Sequence, residues 1–365
     1  MKRNAIRNIG IFLVIALWLL LSLFAWFSPS RDVSEAERRD LAQFPTLSAQ
    51  TLLNGSFMSK FEDFTLDQFP LRDSFRQVKS LFHYYVLGQK DNNNIYIADG
   101  YAAKIEYPLN ETSVNQAANR FNWIYNNYLS ESDCSIFFSV VPDKGYYLAE
   151  PNGYPTMDYE KLSAILQENL SWAEFVDISD CLSIEDYYRT DTHWRQEALL
   201  DAAEKLGSAM NISIPSFTKT KIEKPFYGVY YGQAALPTQS ESMYILSNDI
   251  LDNCSVYNHE TNSYSSVYDM TKLESRDLYD IYLSGAASLL TITNPNAATD
   301  RELIVFRDSF GSSMVPLLVQ DYQTVTLVDI RYVSSVYLEQ LLQFNSQDVL
   351  FLYSTLILNN SASLK

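Results

Sequence analysis

The sequence predicts an α/β domain built on a doubly wound, mostly parallel sheet, with a β-rich insertion and an N-terminal transmembrane helix. Three observations carry this expectation. From about residue 112 onward, short continuous apolar runs alternate with amphipathic helical stretches, the rhythm of a parallel sheet. Residues 211–300, rich in Tyr, Ser and Asn, interrupt that rhythm with short alternating runs. Near the N-terminus, Ile9 to Phe27 form a 19-residue uncharged apolar run.

The apolar run sets the expected compartment. As a helix it would span roughly 28 Å, close to the hydrocarbon thickness of a bilayer. Lys2, Arg3 and Arg7 precede it, and no Lys or Arg follows before Arg31, so the N-terminus is expected to stay in the cytoplasm and the rest to be exported. Trp26 and Phe27 fall where an interfacial aromatic belt would lie. A retained anchor and a cleaved signal peptide both fit. The length of the run and the lack of an Ala-x-Ala site favour the anchor. The expected plan is a cytoplasmic tail (1–8), an anchor (9–27), a polar linker (28–50) and an extracytoplasmic domain (51–365).

Composition narrows the function classes. The 365 residues carry 47% hydrophobic and 19% charged residues, a globular balance. The net charge of −17 disfavours nucleic acid as a partner and excludes a broad electrostatic grip on anionic lipid or glycan. The 26 Tyr and 20 Phe suit either sugar-binding surfaces or half-buried sheet positions. Cys134, Cys181 and Cys254 match no zinc spacing, so no metal site and no cofactor are expected, and the default for the cysteines is a buried structural role.

Along the chain, apolar residues at helical spacing between 51 and 87 (Phe57, Phe61, Phe64, Phe69, Phe75, Leu81) predict helices broken at Pro70. Residues 114–130 read as a helix, Ser135 to Val141 as a strand buried on both faces, 158–170 as a helix and Phe175 to Ile178 as a strand. Residues 194–210 read as an amphipathic helix. After the insertion follow a strand from Leu303 to Phe306, a helix at 311–321, a strand from Val325 to Asp329, a helix at 334–344 and a strand from Val349 to Tyr353.

Two segments carry candidate chemistry. In ELIVFRDSFGSSMVPLL, Ser309 sits at the carboxyl end of a predicted parallel strand where a helix begins, the place where ligand sites of open α/β sheets lie. The backbone N–H groups of Ser309 and Phe310 are candidates for an oxyanion site, and Gly311 would let the chain turn closely. The same residues would also serve as a plain helix cap. In YYRTDTHWRQEALL, Asp191 and His193 stand before a predicted helix. A serine hydroxyl is a weak nucleophile and needs a base; a His base needs an acceptor on its other nitrogen. His83 and His259 have no adjacent Asp, so His193 is the candidate base and Asp191 its orienting carboxylate. Lys144 and Arg307 are candidates to hold an anionic group, or else members of structural ion pairs.

At these residues the chain resembles the DHHW proteins of Gram-positive bacteria, named for an Asp-His-His-Trp motif that stands here as Asp191-Thr192-His193-Trp194. The resemblance extends to RDSFGSSMVPLL (307–318), VDIRY (328–332), the 54–73 stretch and VVPDK (140–144). That family is similar to the alginate O-acetyltransferase group. The resemblance implies an SGNH-hydrolase-like fold, with Ser309 as nucleophile, His193 as base and Asp191 as orienter. It implies acyl transfer or ester hydrolysis on a cell-surface polysaccharide or other glycan; an exported transferase would also need an acyl donor delivered across the membrane, for which a partner membrane protein is a candidate. Two positions depart from the SGNH pattern: Arg307 stands where Gly is usual before Asp-Ser, and Leu283-Ser284-Gly285-Ala286 has no Asn to complete an oxyanion hole. Losing such a donor costs roughly 3–4 kcal/mol in enzymes that use one. A non-catalytic cell-envelope module that kept the fold is the competing reading.

Overall fold

The computed structural model describes residues 2–34 and 36–365. The chain forms two compact units, one of residues up to 93 together with 231–237, the other of residues 94–230 and 238–365.

The first unit begins with α1 (Lys2–Phe27), whose segment Arg7–Phe27 is long and apolar enough to cross a membrane. Residues 28–50, expected as a linker, hold a short antiparallel pairing of Val33–Ser34 with Arg39–Asp40 and the start of a one-turn helix, Ala49–Leu53. Then come α2 (Ser56–Asp67) and α3 (Arg72–Leu81), separated at Pro70 as the sequence predicts. A π turn, Phe82–Val86, continues α3.

The second unit is organised by an eight-stranded sheet. In chain order its strands are β1 (Ser135–Val141), β2 (Glu174–Phe175), β3 (Ser255–Asn258), β4 (Ser263–Ser265), β5 (Leu289–Thr293), β6 (Glu302–Arg307), β7 (Thr324–Val328) and β8 (Asp348–Ser354). Their spatial order is β4-β3-β5-β7-β6-β8-β1-β2. The run from β7 to β2 is parallel throughout, and β5, β3 and β4 extend it by antiparallel pairing. Part of the predicted insertion is therefore the edge of the main sheet. Its short alternating runs read as an irregular module because edge strands need only one buried face. The rest of it includes an antiparallel pair, Thr218–Phe226 with Glu241–Ser247.

The central strands are buried on both faces, and period-2 alternation divides their side chains between two cores. Leu303 and Val305 of β6, with Leu350 and Leu352 of β8, join the core covered by α6 (Leu200–Ala209) and α7 (Gly311–Leu318). Ile304, Phe306, Val349 and Phe351 join the core covered by α4 (Glu111–Ile124) and α5 (Tyr159–Asn169). Helices on both faces of a mostly parallel sheet match the predicted architecture.

Several boundaries differ from the sequence reading. The helix expected at 194–210 is an α-helix only from Leu200; Gln196–Ala198 form a 3-10 turn, and Trp194 forms a β-bridge with Tyr187. The segment expected as a helix at 334–344 is a 3-10 turn, Ser335–Gln340. Only Ser335 and Leu338 are buried there, a three-residue spacing that suits the tighter helix. The hairpin of Ile95–Ala98 with Tyr101–Lys104 was not predicted. All three cysteines are unpaired, and only Cys254 is buried.

Phe351 lies at the centre of the second core, against Phe121, Phe306, Phe138 and Trp172. Truncating a ring so enclosed leaves a cavity that the sheet cannot close. Phe351→Ala is expected to lower stability by roughly 3–5 kcal/mol, read as a shift in the urea midpoint of tryptophan fluorescence.

Candidate active site

The carboxyl ends of the parallel strands gather the two predicted segments. β6 ends at Arg307, and Asp308-Ser309-Phe310 turn the chain into α7. The turn is clamped by a buried carboxylate. Asp308 Oδ1 accepts the Phe310 N–H at 3.0 Å, while Oδ2 accepts the N–H and the hydroxyl of Ser354, at the end of β8, at 2.8 and 2.6 Å. Gly311 is required sterically, since a Cβ there would stand 2.8 Å from the Arg307 Cβ.

The second segment is a loop held from several sides. Tyr188 N–H donates to His193 O, and Ala102 N–H to Arg189 O. Glu241 accepts the N–H groups of Arg189 and Thr190 and the Thr190 hydroxyl at 2.7 to 2.9 Å. The backbone at 228–230, where a short helix begins, lies directly against it: Gly228 N–H donates to Thr190 Oγ1, and Tyr230 N–H to Thr190 O. Any Cβ on Gly228 would fall 2.2 Å from the Asp191 nitrogen, so only glycine permits this approach.

These supports bring Asp191, His193 and Ser309 into one hydrogen-bonded line. His193 Nδ1 lies 2.6 Å from Asp191 Oδ1, and His193 Nε2 lies 2.8 Å from Ser309 Oγ. With Asp191 as a carboxylate, which only accepts, the imidazole proton lies on Nδ1 and Nε2 accepts the Ser309 hydroxyl. Asp191 also accepts two backbone donors: Oδ1 the His193 N–H at 3.0 Å and Oδ2 the Val229 N–H at 2.8 Å. Asp191 is fully buried, His193 nearly so, and Ser309 is partly exposed. The reactive end of the line therefore faces solvent.

Residues that the sequence reading did not single out fix the imidazole. The Tyr279 ring stacks on His193 at 4.0 Å and 10°, and its hydroxyl shares Ser313 Oγ with the Trp194 indole N–H. Gln196 donates to Ser313 O and accepts from Leu246 N–H. Ser313 thus ties α7 to both other segments. The position of Trp194 in the motif was the one available signal; Tyr279 and Gly228 lie in the stretch that sequence alone left irregular.

The remaining candidates are arranged differently from expectation. Phe310 N–H is turned onto Asp308, so it is not directed at an oxyanion; of the two proposed donors, only Ser309 N–H has no partner among the described residues. Ser284 Oγ is bonded to Asp269 and Ser265. Arg307 is fully buried and donates to Ser312 Oγ and Asp308 O, with its Nε and Nη2 unpartnered among the described residues. Lys144 is buried too. Its ammonium donates to the carbonyls of Tyr188 and Arg189 and sits 5.0 Å from the Tyr230 ring, linking the end of β1 to the His193 loop. Among the described residues no three His, Cys, Asp or Glu side chains converge as metal ligands.

Residues 181–328, which include all three members of the line, match the model of the family described as DHHW protein. The resemblance to that family is thereby shown over this stretch; 54–73 and 140–144 lie outside it. No curated protein matches the chain. Among solved structures, a DHHW family protein from Eubacterium siraeum is 19% identical with a TM-score of 0.58, covering 75% of this chain and 95% of its own. PatB1 of Bacillus cereus, solved with a sulfonyl adduct, is 17% identical with a TM-score of 0.58, covering 72% and 95%. The O-acetyltransferase domain of Pseudomonas putida AlgJ is 11% identical with a TM-score of 0.45, covering 73% and 92%, a weaker likeness. The first two are likenesses of fold.

Burial pushes the Lys144 ammonium down to about 7, against the pull of Asp191 and Glu241. Because the folded pKa lies below that of the unfolded chain, the unfolded state binds more protons between about pH 7 and pH 10, and stability rises with pH across that window. Subtracting the urea stability of Lys144→Met from that of the wild type at each pH should isolate this rise. The difference is expected to climb from pH 7 to pH 10 and to be flat below pH 7.

Proposed function

Starting from a chain that is DHHW-like over residues 181–328, we propose that it is a membrane-anchored, extracytoplasmic O-acyltransferase or esterase acting on a cell-surface polysaccharide. The observation that carries this is the continuous Asp191–His193–Ser309 hydrogen-bonded line with its hydroxyl end open to solvent. Support for the compartment comes from Lys2, Arg3 and Arg7 ahead of the apolar helix, which retain that side in the cytoplasm.

In this mechanism Ser309 Oγ attacks the acyl carbonyl as His193 Nε2 takes its proton. The carbonyl π electrons move onto oxygen, and in this proposal the Ser309 N–H meets that charge. Collapse of the tetrahedral intermediate expels the donor alkoxide, which receives the proton from His193, leaving an acyl-serine. A sugar hydroxyl or water then gives its proton to His193 and attacks the acyl-serine; collapse releases the new ester or free acid and returns the proton to Ser309. Asp191 keeps the imidazole in the required tautomer and stabilises its transient charge. With a sugar acceptor the net reaction is transfer, with water it is hydrolysis. Transfer outside the membrane needs an acyl donor supplied from within it, for which a partner membrane protein is the simplest source.

One observation favours the second reading, a non-catalytic glycan-binding or assembly protein: the Phe310 N–H is engaged by Asp308, which leaves the oxyanion one donor short. A single assay separates the two. An aryl acetate is incubated with the wild type, Ser309→Ala and Asp191→Asn, and each protein is also treated with phenylmethylsulfonyl fluoride. Turnover is expected in the wild type, with a loss of roughly a thousandfold or more in both variants. Mass spectrometry is expected to find the sulfonyl group on Ser309. Turnover that survives Ser309→Ala, or no turnover and no labelling in any form, would overturn the enzyme reading.

A further inference from the structure

Helix α3 and the π turn after it are amphipathic in the reverse sense. Arg72, Arg76 and Ser80, spaced i, i+4 and i+8, face the interior of their own unit. Arg72 and Arg76 pair with Glu37, Arg76 also donates to Gly232 O, and Ser80, with no exposed surface, donates to Ala234 O. Phe75, Val78, Phe82 and Tyr85, spaced i, i+3, i+7 and i+10, form the opposite stripe and point outward; Val78 is 63% and Tyr85 78% exposed. A helix against water buries its apolar stripe, and this one buries its polar stripe.

The exposed apolar surface is concentrated in this region. Residues 44–87 hold thirteen exposed Phe, Leu, Met or Val side chains, against three in residues 94–365. Soluble surfaces rarely carry so dense a patch without a partner. The same unit carries the one candidate membrane span among the described residues, and the two are tied together. Gln68 exchanges hydrogen bonds with the Arg31 backbone, Arg31 pairs with Asp73, and Phe24 of α1 and Ser28 just after it line one cleft with Leu71 and Arg72. The start of α3 is thereby held within a few residues of the point where the apolar span ends.

We infer that the outward stripe of α3 and its π turn lies in the interfacial layer of the bilayer that α1 crosses, so that the first unit is a monotopic platform as well as a tether. Its occupant is lipid. Residues 28–93 carry eight Lys or Arg against nine Asp or Glu, so the contact is driven by apolar burial and needs no anionic lipid.

The test uses the full chain in phosphatidylcholine nanodiscs, with C134S, C181S and C254A removing the native thiols. A fluorescent NBD label is placed by V78C, by Y85C or, as a solvent control, by Y264C at an exposed tyrosine of the second unit. Nitroxide-bearing lipid is expected to quench more than half of the emission at positions 78 and 85 and little at 264, with no change when anionic lipid or salt is added. In a second form carrying F75E and F82E, quenching at V86C is expected to fall to the control level. Quenching at 78 and 85 no greater than at 264 would overturn the inference; the face would then be reserved for a protein partner.

Discussion

The hydrogen bond between His193 and Ser309 joins residues 116 positions apart in sequence, and the rest of the second unit is arranged so that it can hold. A bond of this kind between two loose loops would yield to water. Here each end is immobilised separately. The serine end is clamped by Asp308 across to β8 and by the tight packing of Gly311 on Arg307. The histidine end is fixed by Asp191 on one nitrogen and by the stacked Tyr279 ring on its face. Burial of Asp191 strengthens each of these bonds, since water does not compete for the carboxylate. Three donors converge on its two oxygens, two of them backbone N–H groups, so the carboxylate is held in place from both sides.

What was legible in the sequence follows from how local the physics is. Parallel strands buried on both faces leave continuous apolar runs, and Ser135–Val141 and Val349–Tyr353 were found on that basis. The Asp191, His193 and Ser309 set was legible because the base and its carboxylate are two residues apart and the serine stands at a strand end. The supports were not legible, because each is a contact between distant segments. Gly228 reveals its purpose only once Asp191 packs on it. Asp308 looked like part of a motif, and its use as an internal clamp that draws in the Phe310 N–H depends on Ser354 being alongside. The helix expected from Trp194 onward fails for a related reason: six residues of good helical pattern are given over to holding the His193 loop, with Trp194 bridged to Tyr187 and its indole bonded to Ser313.

The Asp308 clamp also limits the chemistry. A backbone N–H at the start of α7 has two possible uses, to cap the turn or to meet a developing oxyanion, and one donor cannot do both at full strength. Capping rigidifies the turn that carries Ser309 and withdraws a donor from any transition state formed there. For the proposed acyl transfer, losing the second use at Phe310 would be a rate cost, while the hydrogen bond between Ser309 and His193 is untouched. Placement of the site and power of the site are therefore set by different interactions.

The first unit obeys a different solvent rule from the second. In the second unit apolar residues turn inward and the exposed large apolar side chains are mostly tyrosines, whose hydroxyls tolerate water. In the first, arginines are drawn inward onto Glu37 while Phe75, Val78 and Phe82 face out. Burying a guanidinium is costly unless it is paired, and the pairing with Glu37 is what allows the stripe to be inverted. An inversion that uses up an acidic partner and a backbone carbonyl is stable only if the outer face also leaves water. In the proposed interfacial placement lipid meets that condition beside α1, because the Arg31 contacts to Gln68 and Asp73 bring the start of α3 to the end of the candidate span.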